Sequence, residues 1–213
     1  MPYNMENLDS AIQSINKSII SYGLELDRYI TMKQDYKLIK EFIQKGDSLL
    51  ENTEDMEFLL DVNTGVVIAL LDLAVIFKNL VKTESKWEKI YFVKQTYLSI
   101  YESLKTFSSF QKKLKGVFDS DATEGPQFLI VLKNLRDFKK KYGYDTHLAL
   151  IRNKAAGHID NDFVIYHQLV SSLEKDKALF IILDLLPILN QVQKLTTTLV
   201  KKEKQPMKLK REC

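Results

Sequence analysis

Apolar residues recur along most of this chain at the three- and four-residue spacing of an amphipathic helix. The most regular row lies within residues 85–118, where the spacing 3-4-3-4-3 predicts a helix with a seam that packs along an antiparallel neighbour. Ser85, with Glu88 three residues later, has the pattern of a capping box and predicts the start of this helix. The row consists of Ile90, Val93, Tyr97, Ile100, Leu104 and Phe107.

Two runs, residues 66–77 and 178–189, are apolar nearly all round, which predicts helices at the centre of the fold. Asn63 and Thr64 have the side chains of an N-cap, so we expect the first helix to begin there and to end near Lys82. Each run contains an aspartate and is shorter than the roughly 20 apolar residues that span a bilayer. We therefore predict no membrane contact.

The second apolar run belongs to a helix predicted from about Asp176 to Lys202, with Pro187 kinking it or ending its first half. Residues 119–127 are predicted to form a loop. Pro126 stands near the start of the helix that follows this loop, which ends at Tyr142.

Gly143 fits the C′ position after that helix. Asp145 or Thr146 then predicts the cap of a further helix of about a dozen residues, which Gly157 interrupts. A shorter helix follows, to about Leu173.

The first 50 residues are less regular: they contain helical spacings on both sides of Gly23, and the segment around Gly23 reads as helix or as a short extended piece. The fold class predicted for the whole chain is all-α, a helical bundle with a four-helix core and an N-terminal helical extension. Residues 1–60 form the extension, 61–202 the bundle, and 203–213 a basic disordered tail.

Composition supports this fold class, because glycine and proline together number only 11 of 213 residues. So few turn formers exclude a β-sandwich, a β-barrel and a glycine-rich nucleotide-binding fold. The single cysteine, Cys213, excludes a disulfide framework within the chain. The N-terminal residues lack the basic and apolar regions of a signal peptide, so we predict a cytoplasmic protein.

The net charge of +3 is unevenly distributed. Residues 201–213 contain six basic and two acidic side chains, so this end carries +4 and leaves −1 for residues 1–200. Residues 1–200 are therefore not a basic nucleic-acid platform by net charge. The tail is either solvated or in contact with phosphates or anionic lipid, and we favour the solvated end.

Candidate chemistry is concentrated in residues 151–160. Arginine is rare in this chain, four residues against 27 lysines, and Arg152 lies at the edge of an apolar helical stripe. A guanidinium directed towards a core must be paired or must line a polar pocket. Asp72 and Asp184, each within an apolar run, are the predicted partners. The stripe consists of Leu148, Ile151, Ala155 and Ile159.

This segment resembles the signature of the HEPN superfamily, in which four to six residues separate an arginine from a histidine and a polar residue directly follows the arginine. The form found in HEPN proteins of the abortive-infection type is similar to the pattern here, Arg152-Asn153-Lys154, two residues, Gly157-His158, one residue and Asp160. The resemblance covers about ten residues and an all-helical layout, and does not extend to residues 1–60.

The resemblance implies a metal-independent endoribonuclease without a cofactor, a toxin or phage-defence protein that cleaves RNA. It assigns catalysis to Arg152, Asn153 and His158, and substrate binding to Lys154 and Asp160. The implied partners are RNA, a second copy of the chain in a homodimer, and an antitoxin protein. On an ideal helix Arg152 and His158 lie about 120° apart, so they converge only if the helix distorts near Gly157 or if a second subunit contributes.

Two alternatives stay open: a non-catalytic helical dimerisation or interaction module, and an unrelated bundle in which Arg152 forms a core ion pair. A second row on the helix of residues 85–118, formed by Tyr91, Leu98 and Tyr101, predicts an interface between subunits. The three histidines lack a tight cluster of metal ligands, so no metal site is predicted.

Overall fold

The computed structural model describes residues 5–43, 53–156 and 163–209, and all regular structure within these ranges is helical. The all-α helical bundle predicted from the sequence is confirmed. Its helices are α1 (Met5–Ile43), α2 (Thr53–Lys82), α3 (Lys86–Asp119), α4 (Gly125–Lys141), α5 (Ala149–Ile151), α6 (Phe163–Ser171) and α7 (Lys175–Leu209), with two π-helical segments, Tyr144–Leu148 and Arg152–Ala156.

Helix α2 occupies the centre of the bundle and packs against α1, α3 and α7. Its buried residues include Leu59, Leu70, Leu73 and Leu80, each at most 1% exposed. The central position predicted for residues 66–77 is therefore confirmed. The predicted start at Asn63 and Thr64 is wrong, because the helix already begins at Thr53 and Asn63 is fully buried within it.

Helix α3 packs through the predicted seam. Val93, Tyr97, Ile100, Leu104 and Phe107 are buried, and Ile90 is partly buried against the core. Ser85 occupies the N-cap position in an extended conformation, but its side chain forms no cap hydrogen bond. Glu88 instead accepts a hydrogen bond from the hydroxyl of Thr83, so the predicted capping box does not form.

The turn between α3 and α4 is fixed by Asp121. One carboxylate oxygen accepts hydrogen bonds from the backbone N–H groups of Thr123 and Glu124, and the other from Lys202 Nζ at 2.6 Å. These bonds, that from Lys202 first, lower the pKa of Asp121 to about 2. Gly125 starts α4 so close to Phe118 that a Cβ atom there would lie 2.7 Å from the Phe118 carbonyl oxygen.

Helix α7 continues through Pro187, which neither ends it nor splits it. Ile182, Leu185 and Leu189 on both sides of the proline are buried in one core, and this packing keeps the segment helical despite the lost hydrogen bond. The helix also extends to Leu209, beyond the predicted end at Lys202, so the predicted tail boundary at 203 lies inside α7.

Helices Glu54–Lys82 and Lys175–Lys202 are long and apolar enough to cross a membrane by length and composition, which the two apolar runs alone are not. Within the bundle, 61% and 44% of their most apolar windows are buried.

Helix α1 runs without a break through Gly23 and is held to the bundle by two tyrosines. Tyr29 is fully buried and its hydroxyl lies 2.6 Å from Thr197 Oγ1, while the Tyr22 hydroxyl donates to Asn190 Oδ1. The boundary predicted between residues 60 and 61 falls inside α2, so α1 and the first turns of α2 are packed as part of one helical assembly.

Three helices meet at a group of neutral polar side chains that we call the polar junction: Tyr29, Asn63, Thr196 and Thr197. Asn63 Nδ2 donates to the Leu59 carbonyl oxygen, and its Oδ1 accepts from the hydroxyls of Thr196 and Thr197 at 2.9 and 3.2 Å. The junction therefore joins α1, α2 and α7 through one hydrogen-bonded network.

Candidate functional site

Arg152 begins the second π-helical segment, Arg152–Ala156, where the sequence predicted a regular α-helix. The distortion starts earlier, since the N–H of Leu148 donates to the carbonyl oxygen of Gly143, five residues back. The 120° relation between Arg152 and His158 rests on an ideal α-helix and does not apply to such a chain path. π-Helical turns are rare and occur frequently at functional sites.

Gly143 makes the sharp turn into this region. Its φ of 60° lies in the left-handed region, and a Cβ atom there would lie 2.8 Å from Thr146 Oγ1. The predicted C′ glycine after α4 is confirmed. Beyond the turn, the predicted apolar stripe anchors the segment, because Leu148, Ile151 and Ala155 are at most 1% exposed.

The Arg152 guanidinium is paired with an acidic side chain that the sequence did not predict. Its Nε donates to Glu102 Oε1 of α3 over 2.8 Å, and the Arg152 side chain is 28% exposed. The predicted partners are wrong: Asp184 accepts from Lys141 and Tyr142, and Asp72 lines a groove between α2 and α3. Arg152 is therefore paired, as expected, but with a residue of α3, whereas the predicted partners lie on α2 and α7.

Asn153 contacts Arg152 directly, since its Oδ1 accepts a hydrogen bond from Arg152 Nη1 over 3.1 Å. Asn153 and Lys154 are both exposed at the surface. Gly157, His158 and Asp160 lie outside the described residues. The structure thus brings together Arg152 and Asn153, with Lys154 beside them in the chain.

An aromatic pair separates Arg152 from a second cation. The rings of Tyr101 and Tyr144 stack at 4.9 Å with an interplanar angle of 11°. Arg152 Cζ lies 5.7 Å from the Tyr101 ring centroid, and Lys139 Nζ lies 4.6 Å from that of Tyr144. Both distances are within the range of cation–π attraction. We call these four residues the cation–aromatic stack.

The stack is desolvated enough to shift the ionisation of two of its members. Burial, with smaller contributions from Tyr101 and Asp145, raises the pKa of Tyr144 to about 12. Burial also lowers the pKa of Lys139, whose Nζ donates to Ser108 Oγ at 2.8 Å. Tyr144 is therefore a neutral hydrogen-bonding group at physiological pH.

The predicted second row on α3 is divided between two environments. Tyr101 is covered by Tyr144, and Leu98 lines the groove between α2 and α3. Tyr91 stays 54% exposed, and Trp87, one turn earlier, is 65% exposed. Sequence reasoning missed Glu102, Tyr144 and Lys139; only the placement of Tyr101 in the second row pointed towards this part of α3.

Within residues 5–43, 53–156 and 163–209, no three histidine, cysteine or acidic side chains are grouped as metal ligands. Comparison of the chain with models of known protein families finds no match, and neither does comparison with characterised proteins or with solved structures.

Proposed function

We propose that this chain is a HEPN-type, metal-independent endoribonuclease of the toxin or phage-defence class. The observation that supports it is the state of Arg152: Glu102 and Asn153 hold its guanidinium from two sides, and 28% of the side chain stays open to solvent. A cation fixed in this way is preorganised for a phosphate, because its orientation no longer has to be created on binding.

In the proposed reaction the 2′-hydroxyl oxygen of RNA attacks the neighbouring phosphorus and the bond from phosphorus to the 5′-oxygen breaks. The products are a 2′,3′-cyclic phosphate and a free 5′-hydroxyl. His158 accepts the proton of the 2′-hydroxyl and returns a proton to the leaving oxygen. Arg152 stabilises the negative charge that develops on the phosphoryl oxygens, Asn153 positions Arg152 or the phosphate, and Lys154 and Asp160 contact the substrate.

The first test is expression of the full chain beside His158→Ala, scored for growth arrest and for RNA fragments that end in cyclic phosphate. His167→Ala is the matched control, because His167 is an exposed histidine of α6 outside the motif. We expect arrest and cleavage with wild type and His167→Ala, and neither with His158→Ala. Cleavage that survives in His158→Ala would refute the assigned mechanism.

A second test addresses the proposal that cleavage is independent of metal ions. Cleavage of purified RNA should continue at an unchanged rate in EDTA, since the proposed steps use side chains of the protein and no metal ion. Loss of cleavage in EDTA, followed by recovery on addition of a divalent ion, would contradict the proposal.

A second candidate function is a non-catalytic dimerisation module, and exposed aromatic rings on α3 favour it. Trp87 and Tyr91 present most of their surface to solvent, as interface residues of an isolated subunit do. Sedimentation should show a homodimer of about 50 kDa in either case. A dimer with no cleavage, unaffected by Arg152→Ala, would favour the module, whereas a monomer at micromolar concentration would count against both.

A further inference from the structure

A cavity of about 630 Å³ lies beside the cation–aromatic stack, where the end of α4 meets α7 and the first π-helical segment. Its volume is within the range of pockets that hold small organic ligands. We call it the basic pocket, and its principal side chains are Tyr97, Lys140, Lys141, His147, Lys177 and Phe180.

Three lysines give this pocket an excess of positive charge. Lys141 is paired with Asp184 at 2.6 Å, and Lys177 with Glu174 at 2.7 Å. Among the described residues, no carboxylate lies within ion-pair distance of Lys140. The pocket therefore offers an anion one ammonium group without a carboxylate partner in the described part of the chain, and two more whose acidic partners are at the surface.

Phe180 supplies a feature of a different kind, an aromatic ring that is 50% exposed although its neighbour Ile181 is buried in the core. An exposed aromatic ring beside a group of cations is the arrangement that proteins use for single-stranded nucleic acid, because any base can stack on the ring while the cations hold the backbone. A purely anionic ligand would leave the aromatic ring without a contact, and a purely apolar ligand would leave the lysines without one.

The basic pocket and the cation–aromatic stack lie along successive turns of α3. Tyr97 contacts His147 edge-to-face at 5.9 Å between ring centroids, and one turn further along α3 Tyr101 contacts Tyr144 and Arg152. One helical turn advances about 5.4 Å along the axis of α3. We take a nucleotide that flanks a phosphate at Arg152 as the one that the pocket receives.

We propose that the basic pocket binds one nucleotide of single-stranded RNA, with the base stacked on Phe180 and the phosphate held by Lys140 and Lys177. The position of this nucleotide next to the cleaved phosphate rests on the proposed function. The binding of a nucleotide in the pocket does not itself require cleavage. The pocket then explains how residues 1–200, with a net charge of −1, bind RNA: the contact is local and is partly a stacking contact.

The test measures fluorescence anisotropy of a 5′-labelled, unstructured RNA of 12 nucleotides, in the full chain carrying His158→Ala so that the RNA stays intact. Phe180→Ala should weaken binding roughly tenfold. Phe180→Leu should weaken it to a similar extent, because leucine keeps the apolar bulk and lacks the flat ring. Melting curves should be unchanged within about 2 °C for both, since the side chain is half exposed.

The charge contribution is tested by Lys140→Gln with Lys177→Gln, against the control pair Lys78→Gln with Lys112→Gln, which removes two lysines away from the pocket. The pocket pair should reduce the slope of log affinity against log salt concentration by about 0.7 for each lysine that contacts a phosphate. The control pair should leave the slope nearly unchanged.

Three results would overturn the proposal: binding unaffected by either pocket change, Phe180→Leu binding as well as wild type, or AMP bound in a pocket-dependent way while the RNA is not. The proposed function fails separately. If wild type leaves RNA intact while pocket variants still weaken binding, the nucleotide site stands without the ribonuclease; if wild type cuts RNA and the pocket variants bind and cut as well as it does, the reverse holds.

Discussion

The polar junction and the Arg152 cluster, by which we mean Arg152 with its partners Glu102 and Asn153, are both held by side-chain hydrogen bonds, yet they differ in charge and in exposure. Asn63 and Thr196 are fully buried and neutral, and each has its hydrogen-bonding partners within the bundle. Arg152 and Glu102 are charged, and 28% and 40% of their side chains are exposed. In a complete buried network, internal hydrogen bonds replace those to water, and the network helps to specify one packing arrangement. An ion pair at the surface contributes little to stability.

This difference separates a group that specifies the fold from a group that is available for binding. The polar junction fixes how α1, α2 and α7 are placed along one another, because any slip of these helices would leave buried polar atoms without partners. The Arg152 cluster leaves part of its cation open to a ligand. The predictions below test this separation, starting with the largest expected effect.

Asn63→Asp should destabilise the protein most, by about 3–5 kcal/mol at pH 7, because it places a carboxylate at a fully buried position and removes the donor to Leu59. Burial raises the pKa of the new carboxyl in the folded state above its unfolded value. The variant therefore loses stability relative to wild type as the pH rises, and the difference shrinks in acid, where the carboxyl is protonated.

Chemical denaturation at pH 4 and pH 7 measures this effect, and Asn79→Asp is its control. Asn79 also donates to the carbonyl oxygen four residues back in α2, Val75, but at a solvent-accessible position. We expect the control to lose less than about 1 kcal/mol with little pH dependence. Equal losses in the two variants would show that the junction has no special role.

Arg152→Ala should reduce RNA cleavage by at least about 100-fold, the loss seen when a group that stabilises transition-state charge is removed. Its effect on the free energy of unfolding should stay near 1 kcal/mol, since the ion pair is partly exposed. Arg136→Ala removes an exposed arginine from α4 and should change neither quantity. Rates on a labelled RNA together with melting curves check both; unchanged cleavage would leave Arg152 as an ion pair alone.

Glu102→Gln should lower cleavage about tenfold by loosening Arg152, while stability falls by less than about 1 kcal/mol. Glu57→Gln is the control, because Glu57 forms an exposed ion pair of its own with Lys40. Similar small stability losses with cleavage affected only in Glu102→Gln would support a positioning role. A stability loss above about 2 kcal/mol would place Glu102 with the polar junction instead.

Tyr29→Phe should cost about 1 kcal/mol, or roughly 2–4 °C in melting temperature, by removing the hydroxyl that contacts Thr197. Burial raises the pKa of Tyr29, so the stability contributed by its neutral form is complete below pH 10 and is lost as the pH rises through the folded-state value. Part of the alkaline destabilisation should therefore disappear in Tyr29→Phe and persist in Tyr91→Phe, whose side chain is largely exposed.

The sequence predicts those parts of the fold that depend on one helix at a time. The seam of α3 from Val93 to Phe107 follows from spacing alone, and Gly143 at the end of α4 follows from the φ angle that its position requires. The position of α2 at the centre follows from its nearly continuous apolar surface. Each of these signals is contained within about 15 residues.

The errors arise where contacts between distant residues decide the outcome. Asn63 resembles an N-cap in sequence, and only Thr196, 133 positions later, explains why it lies inside a helix. The partner of Arg152 is Glu102, 50 positions earlier, and no periodicity shows which turn of α3 faces the π-helical segment. The roles predicted for Arg152, Asn153, Lys154, His158 and Asp160 stay predictions.

The exposed position of Trp87 has a spectroscopic consequence. It is the only tryptophan of the chain and is 65% exposed at the first turn of α3, one turn before Tyr91. Excitation at long wavelength therefore reports the polarity around a single indole ring at this surface. If α3 forms the subunit interface through these aromatic rings, emission shifts to shorter wavelength as the protein concentration rises, and the unmodified chain reports its own assembly without a label.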